Sequence, residues 1–108
     1  MIVYGLSTCD STKKALKELA AAGTPHRFRD IRAEPLSRAE VDEIVGEFGA
    51  RAVNKQSTTY RSFSDFLRES EPEAQIFAQP TVMKRPVIRS DRGWFLGWDD
   101  EIRDSLTR

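Results

Sequence analysis

The sequence predicts an α/β fold built on a mixed four-stranded sheet with helices packed against it. Three observations carry that prediction. An apolar strand, an amphipathic helix and a second strand follow one another within about 30 residues, the length of a right-handed βαβ unit. Near the C-terminus a polar four-residue turn separates two apolar runs, which is a hairpin signal. A short amphipathic helix then closes the chain. With 108 residues and 39% apolar side chains, a single domain spanning 1–108 can bury a core without metal or disulfide staples.

Ile2, Val3 and Tyr4 form a buried strand ended by Gly5, and Ser7 to Thr12 is a polar turn. Ala15, Leu16, Leu19 and Ala20 follow at helical spacing and mark one buried face. Gly23 suits the left-handed position just past that helix. Pro25 to Ile31 reads as a weaker strand around Phe28 and Ile31, parallel to the first. Ser37 opens the next helix, and Glu40 three residues later completes a capping-box pattern. Val41, Ile44, Val45 and Phe48 are its core stripe and Gly49 its stop. Residues 50–61 hold little apolar content and read as loop or irregular helix. Phe63, Phe66 and Leu67 mark a short helix, and Ile76 and Phe77 another that Pro72 begins. Prolines at both ends prevent 80–86 from being one continuous central strand. Val87 and Ile88 pair with Trp94, Phe95 and Leu96 across Ser90-Asp91-Arg92-Gly93. Asp99 or Asp100 caps the last helix, which carries Ile102 and Leu106. This order is the plan of the thioredoxin-like (glutaredoxin-like) fold, with a helical insertion at about 50–79.

Seventeen basic and 17 acidic residues give a net charge of zero. Broad nucleic-acid binding needs an excess of Lys and Arg on one face, so no nucleic-acid partner is expected. Nor does this balance attract an anionic membrane. No run approaches the roughly 18 apolar residues of a membrane helix, and no basic-then-apolar leader opens the chain. The expectation is a soluble, monomeric, cytoplasmic domain. A lone cysteine can form neither an internal disulfide nor a multi-cysteine metal site, and no metal is expected.

That cysteine, Cys9, falls between the first strand and the first helix. A sulfur there meets unpaired backbone N–H groups and the positive end of the helix dipole. Both favour thiolate over thiol, and Lys13 and Lys14 add positive potential, so its pKa should be lowered. A half-buried inert cysteine is the bland alternative. Position 12 of the Cys9-Asp10-Ser11-Thr12 motif holds no second cysteine, so any redox cycle must be completed by an external thiol. His26 reads as a surface residue and Trp94 and Trp98 as packing, although Trp98 could also shape a cleft.

Three blocks together resemble the ArsC (arsenate reductase) family, and within it the YffB-type branch. They are Tyr4-Gly5…Thr8-Cys9-Asp10-Ser11-Thr12-Lys13-Lys14, Asn54-Lys55…Ser57-Thr58-Thr59-Tyr60-Arg61, and Pro80-Thr81…Lys84-Arg85-Pro86-Val87. The resemblance implies a redox enzyme with Cys9 and Arg85 as catalytic residues and a cis Arg85–Pro86 bond facing the cysteine. It implies Ser11, Thr12, Asn54, Lys55, Arg61 and Pro86 as the substrate-binding set. No cofactor is held; glutathione is the implied co-substrate and glutaredoxin a further partner. Family members surround the cysteine with three arginines. Only Arg85 matches here, the other two positions falling on Asn54 and Trp98. Each lost hydrogen bond to a charged oxyanion is worth about 1.5–3 kcal/mol. The resemblance therefore implies a glutathione-dependent thiol reductase ahead of an arsenate reductase, and arginines restored at 54 and 98 would be expected to raise arsenate activity. The alternative of another class is a non-catalytic Spx-like regulator binding RNA polymerase.

Overall fold

The computed structural model describes all 108 residues, Met1–Arg108, as two compact units: Met1–Glu34 with Arg85–Arg108, and Pro35–Lys84. The first unit holds a four-stranded mixed sheet in the order β2-β1-β3-β4, formed by β1 (Ile2–Gly5), β2 (Arg27–Asp30), β3 (Val87–Ser90) and β4 (Gly93–Leu96). β1 runs parallel to β2 and antiparallel to β3. Tyr4 faces Arg29 on one side and Val87 on the other. β2 is shorter than expected: Pro25 has no N–H to donate to a ladder, and Ile31, though buried, lies past the strand end.

Helix α1 (Asp10–Ala21) follows β1. It ends in a Schellman motif, with Gly23 N–H on the Ala20 carbonyl, Thr24 N–H on the Leu19 carbonyl, and Gly23 at φ 69°. Its buried residues are Thr12, Ala15 and Leu19, spaced i, i+3, i+7; Ala20, expected on the core face, is exposed. Helix α6 (Asp100–Thr107) closes the unit, with Asp99 as the cap accepting from Ile102 N–H at 2.8 Å. Val3, Leu19, Ile88 and Leu106 form the core between sheet and helices, flanked by Leu16, Phe95, Trp98 and Ile102. Leu19 is completely buried there, so truncation to Ala costs about 2–5 kcal/mol.

The second unit begins with α2 (Arg38–Phe48). Both halves of the Ser37–Glu40 capping box form, at 3.1 and 2.8 Å. A 3₁₀ turn over Gly49–Ala52 follows, and then a single antiparallel bridge joins Val53 to Met83. The short helices α3 (Thr58–Arg61), α4 (Asp65–Arg68) and α5 (Pro72–Ala78) complete the unit, with Ser57 and Ser64 capping the first two. Residues 50–61 are thus the irregular helix expected of them, with Ala52 and Val53 buried and Ser57 capping α3. The buried Gln75 amide donates to the Leu67 and Arg68 carbonyls and closes the end of α4. Of the residues that marked a short helix here, Phe66 is 84% exposed, while Phe63, which precedes α4, is buried. Phe77 is partly exposed beneath the Arg38 guanidinium.

Candidate active site

Cys9 is the N-cap of α1, with extended backbone at φ −86° and ψ 124°. Its N–H donates to the Leu6 carbonyl at 3.0 Å, and its carbonyl accepts from Lys13 N–H at 2.9 Å. These two bonds fix the thiol at the junction of the β1 loop and the helix, half-buried. Burial pushes the Cys9 pKa up. The backbone N–H of Thr12, its hydroxyl, and the hydrogen-bonding and charge of Arg85 outweigh that and leave the pKa lowered. The neutral thiol makes no cap hydrogen bond of ordinary geometry. The Thr12 donors act on the thiolate, which is a far better acceptor than the thiol. Lys13 and Lys14 are not among these contributors: both are exposed, and Lys14 lies 3.9 Å from Glu18.

Arg85 reaches Cys9 from a point 76 positions along the chain, preceding Pro86 through a cis peptide bond. Pro86 is fully buried, and its carbonyl accepts from Gly97 N–H at 2.8 Å, which ties the segment before β3 to the end of β4. The cis bond agrees with what the family resemblance implied. On the other side of the loop, the Asp30 carboxylate accepts from Arg32 N–H at 2.9 Å and Ala33 N–H at 3.3 Å. The Arg32 N–H is the largest influence on Asp30; with Ala33 and the Ser7 hydroxyl and N–H it holds the carboxyl below its ordinary pKa, against a smaller opposing effect of burial. Asp30 therefore anchors Ser7, two residues before Cys9.

The structure brings Cys9, Thr12 and Arg85 together, with Pro86 next to Arg85 in the chain. Ser11 is exposed on the first turn of α1. Asn54 and Lys55 belong to the second unit and line one shallow depression of about 580 Å³ with Arg51, Gln56 and Lys84. Asn54 Oδ1 accepts from Gln56 N–H at 3.0 Å, so its side chain closes its own turn. Arg61 ends α3, exposed and outside that depression. The His26 Nδ1–H donates to the Thr24 carbonyl at 2.7 Å and has no role at Cys9. Trp98 does not shape the Cys9 surroundings either: it packs on the core and donates its indole N–H to Glu18.

Two residues play parts other than those the sequence reading gave them. Thr12, expected in the substrate-binding set, is completely buried. It continues the buried stripe of Ala15 and Leu19, a signal that could have turned it inward. Gly5, read as a strand terminator, is part of β1 and pairs with Asp30. It shares a face with Val3 by strand alternation.

A thioredoxin-like sheet carrying one thiol at the cap of its first helix, beside an arginine that precedes a cis-proline, defines a class: single-cysteine proteins of the thioredoxin-like fold. The model of the ArsC family matches residues 4–104, and the chain belongs to that family. It is similar to the solved structure of a YffB (PA3664) protein, with a TM-score of 0.88 and 25% identity over 99% of this chain and 98% of that one. It is also similar to an arsenate reductase (ArsC) related protein from Brucella melitensis, with a TM-score of 0.75 and 26% identity over 96% and 91% of the two chains. Among curated proteins, the global transcriptional regulator Spx of Listeria innocua is 32% identical over 114 residues, covering 98% of this chain and 86% of the relative. No helix is long and apolar enough to cross a membrane.

Proposed function

We propose that this chain is a glutathione-dependent thiol–disulfide oxidoreductase with Cys9 as the exchanging thiol. One observation carries the reading: Cys9 caps α1 while Thr12 and Arg85 favour its thiolate, the form that attacks a disulfide. In the first step the Cys9 thiolate attacks the glutathione sulfur of a mixed disulfide. The old S–S bond breaks, the substrate leaves as thiolate and takes a proton from water, and Cys9 becomes disulfide-bonded to glutathione. The thiolate of a second glutathione then attacks the glutathione sulfur of that adduct. Cys9 leaves as thiolate, and the two glutathiones leave as their disulfide, having supplied the two electrons. Thr12 in place of a second cysteine makes the external thiol obligatory, and glutaredoxin could supply it instead.

In this scheme Arg85 holds the thiolate and a glutathione carboxylate with its planar fork. Ser11, exposed on the first turn of α1, borders the peptide's approach, and Thr12 and Pro86, both buried, act beside Cys9 and Arg85. A pool of reduced glutathione places the reaction in the cytoplasm. Arsenate reduction ranks below glutathione exchange because Arg85 is the single guanidinium available from the family's three. Mass spectrometry after incubation with oxidised glutathione tests the proposal. One glutathione adduct is expected, absent from Cys9→Ser, followed by turnover of a glutathionylated peptide. Absence of the adduct overturns the reading.

The identity to Spx over nearly the whole chain favours a second reading, a transcription regulator acting through RNA polymerase. Recovery of RNA polymerase on the immobilised protein, together with no thiol exchange, would establish it in place of the first.

A further inference from the structure

Gly5 has no positive φ, so conformational freedom does not explain a glycine in the last position of β1. Space does. A Cβ built on Gly5 would lie 2.6 Å from Thr12 Cγ2 and 3.1 Å from Thr12 Cβ, and nearer still to Thr12 Oγ1. Real side chains do not approach that closely, so one of the two residues must move. The Gly5 backbone is held by its pairing with Asp30, and its carbonyl accepts from Ile31 N–H at 3.0 Å. Thr12 and the first turn of α1 are therefore what would shift. That turn carries Cys9, whose own N–H is bonded one residue past Gly5, at Leu6. Thr12 itself is completely buried, and its hydroxyl has no hydrogen-bond partner of ordinary geometry. A buried hydroxyl without a partner is costly, and a negative charge on the neighbouring sulfur relieves it.

We propose that Gly5 is a positioning residue for the chemistry at Cys9: the side chain it lacks is the seat of Thr12, and that seat aims the Thr12 hydroxyl at the sulfur. Gly5 touches neither substrate nor reacting atom and acts only through Thr12. The inference rests on Cys9 being the reacting thiol, and the test separates the two. Cys9 is the sole cysteine, so alkylation by iodoacetamide reports it without interference and without glutathione.

The alkylation rate is measured against pH for wild type, Gly5→Ala, Thr12→Ala, Thr12→Ser and the double variant Gly5→Ala/Thr12→Ala. Below the inflection, Gly5→Ala and Thr12→Ala should each slow alkylation about threefold, the net of less thiolate and a more nucleophilic one. Both inflections move to higher pH, and Thr12→Ser stays near wild type. The double variant should match Thr12→Ala, because Oγ1 and Cγ2, the two atoms that collide outright, are gone and the remaining Cβ at 3.1 Å needs only a small shift. If Gly5→Ala does not fold, the comparison of the double variant with Thr12→Ala still decides. A double variant that falls threefold below Thr12→Ala overturns the proposal, as does a folded Gly5→Ala with the wild-type inflection. A wild-type inflection at the free-cysteine value would instead overturn the reading of Cys9 as an activated thiol.

Discussion

The Trp98 indole N–H donates to Glu18 Oε2 at 3.1 Å, and Glu18 lies nine residues beyond Cys9 along α1. At 1.5 Å per residue that is about 13 Å down the helix axis. The position where the family resemblance asks for a third arginine is thus committed to the far part of the same helix and to the packing on Val3, Leu19 and Leu106.

Trp98→Arg should therefore leave arsenate turnover at the wild-type level, contrary to the gain that the resemblance alone suggests. The new guanidinium meets the Glu18 carboxylate before anything near Cys9. The loss of packing should destabilise the protein by about 1–3 kcal/mol, readable from urea unfolding. A rise in arsenate turnover would show that residue 98 reaches the thiol.

Cys9 should make stability depend on pH in a defined direction. Burial raises its pKa, but Thr12 and Arg85 lower it by more, so the folded thiol ionises below the unfolded one, at about 8.5. A lowered folded pKa gives stability that is complete above the unfolded value and is lost as pH falls through the folded value. The stability advantage of wild type over Cys9→Ser should accordingly be larger at about pH 9 than at about pH 6. Urea midpoints of the two proteins at both pH values check this; a constant difference contradicts it.

Arg85→Ala should slow alkylation of Cys9 at neutral pH by about two- to fivefold, as expected for losing a partly exposed charge interaction of 0.5–1 kcal/mol. Arg85→Lys should recover part of the alkylation rate, since it keeps the charge, but less of the glutathione exchange, since it lacks the planar fork. Equal recovery of both rates would argue against carboxylate binding by Arg85.

Asp30→Asn should loosen the loop that carries Cys9. The carboxylate serves the N–H groups of Arg32 and Ala33 and both donors of Ser7, and its pKa is held down. The stability it contributes is present above the unfolded carboxyl pKa and lost as pH falls through the lower folded value. Protection of the Ser7, Arg32 and Ala33 amides relative to their intrinsic exchange rates should fall in the variant at neutral pH and in wild type on acidification. Unchanged protection at Ser7 would show that the loop is held by other means.

Local chemistry explains which features were readable in advance. Ser37 and Glu40 are three residues apart, and the box they promise forms with both hydrogen bonds. Gly23 sits where a helix must reverse its backbone, and it does so at positive φ. Cys9 was placed at the head of α1 by the same kind of short-range reasoning. Phe63, Phe66 and Leu67 marked a short helix, but four helical residues are too few to reveal which face is buried, and Phe66 lies exposed. Lys13 and Lys14 were credited with the field at Cys9 because they are near in sequence, yet their side chains point into solvent.

By itself, the sequence determined the order of strands and helices, the caps, and a thiol at the start of α1, because each rests on interactions spanning a few residues. Only the tertiary structure decided what surrounds that thiol. Arg85 comes to the sulfur by chain reversal, Trp98 turns to Glu18, and Gly5 matters for a side chain that packs where its own would be. Those relations depend on distances between segments far apart in the chain. Hydrophobic periodicity carries no record of such distances; it reports which face of an element is buried, not which residue lies across from it.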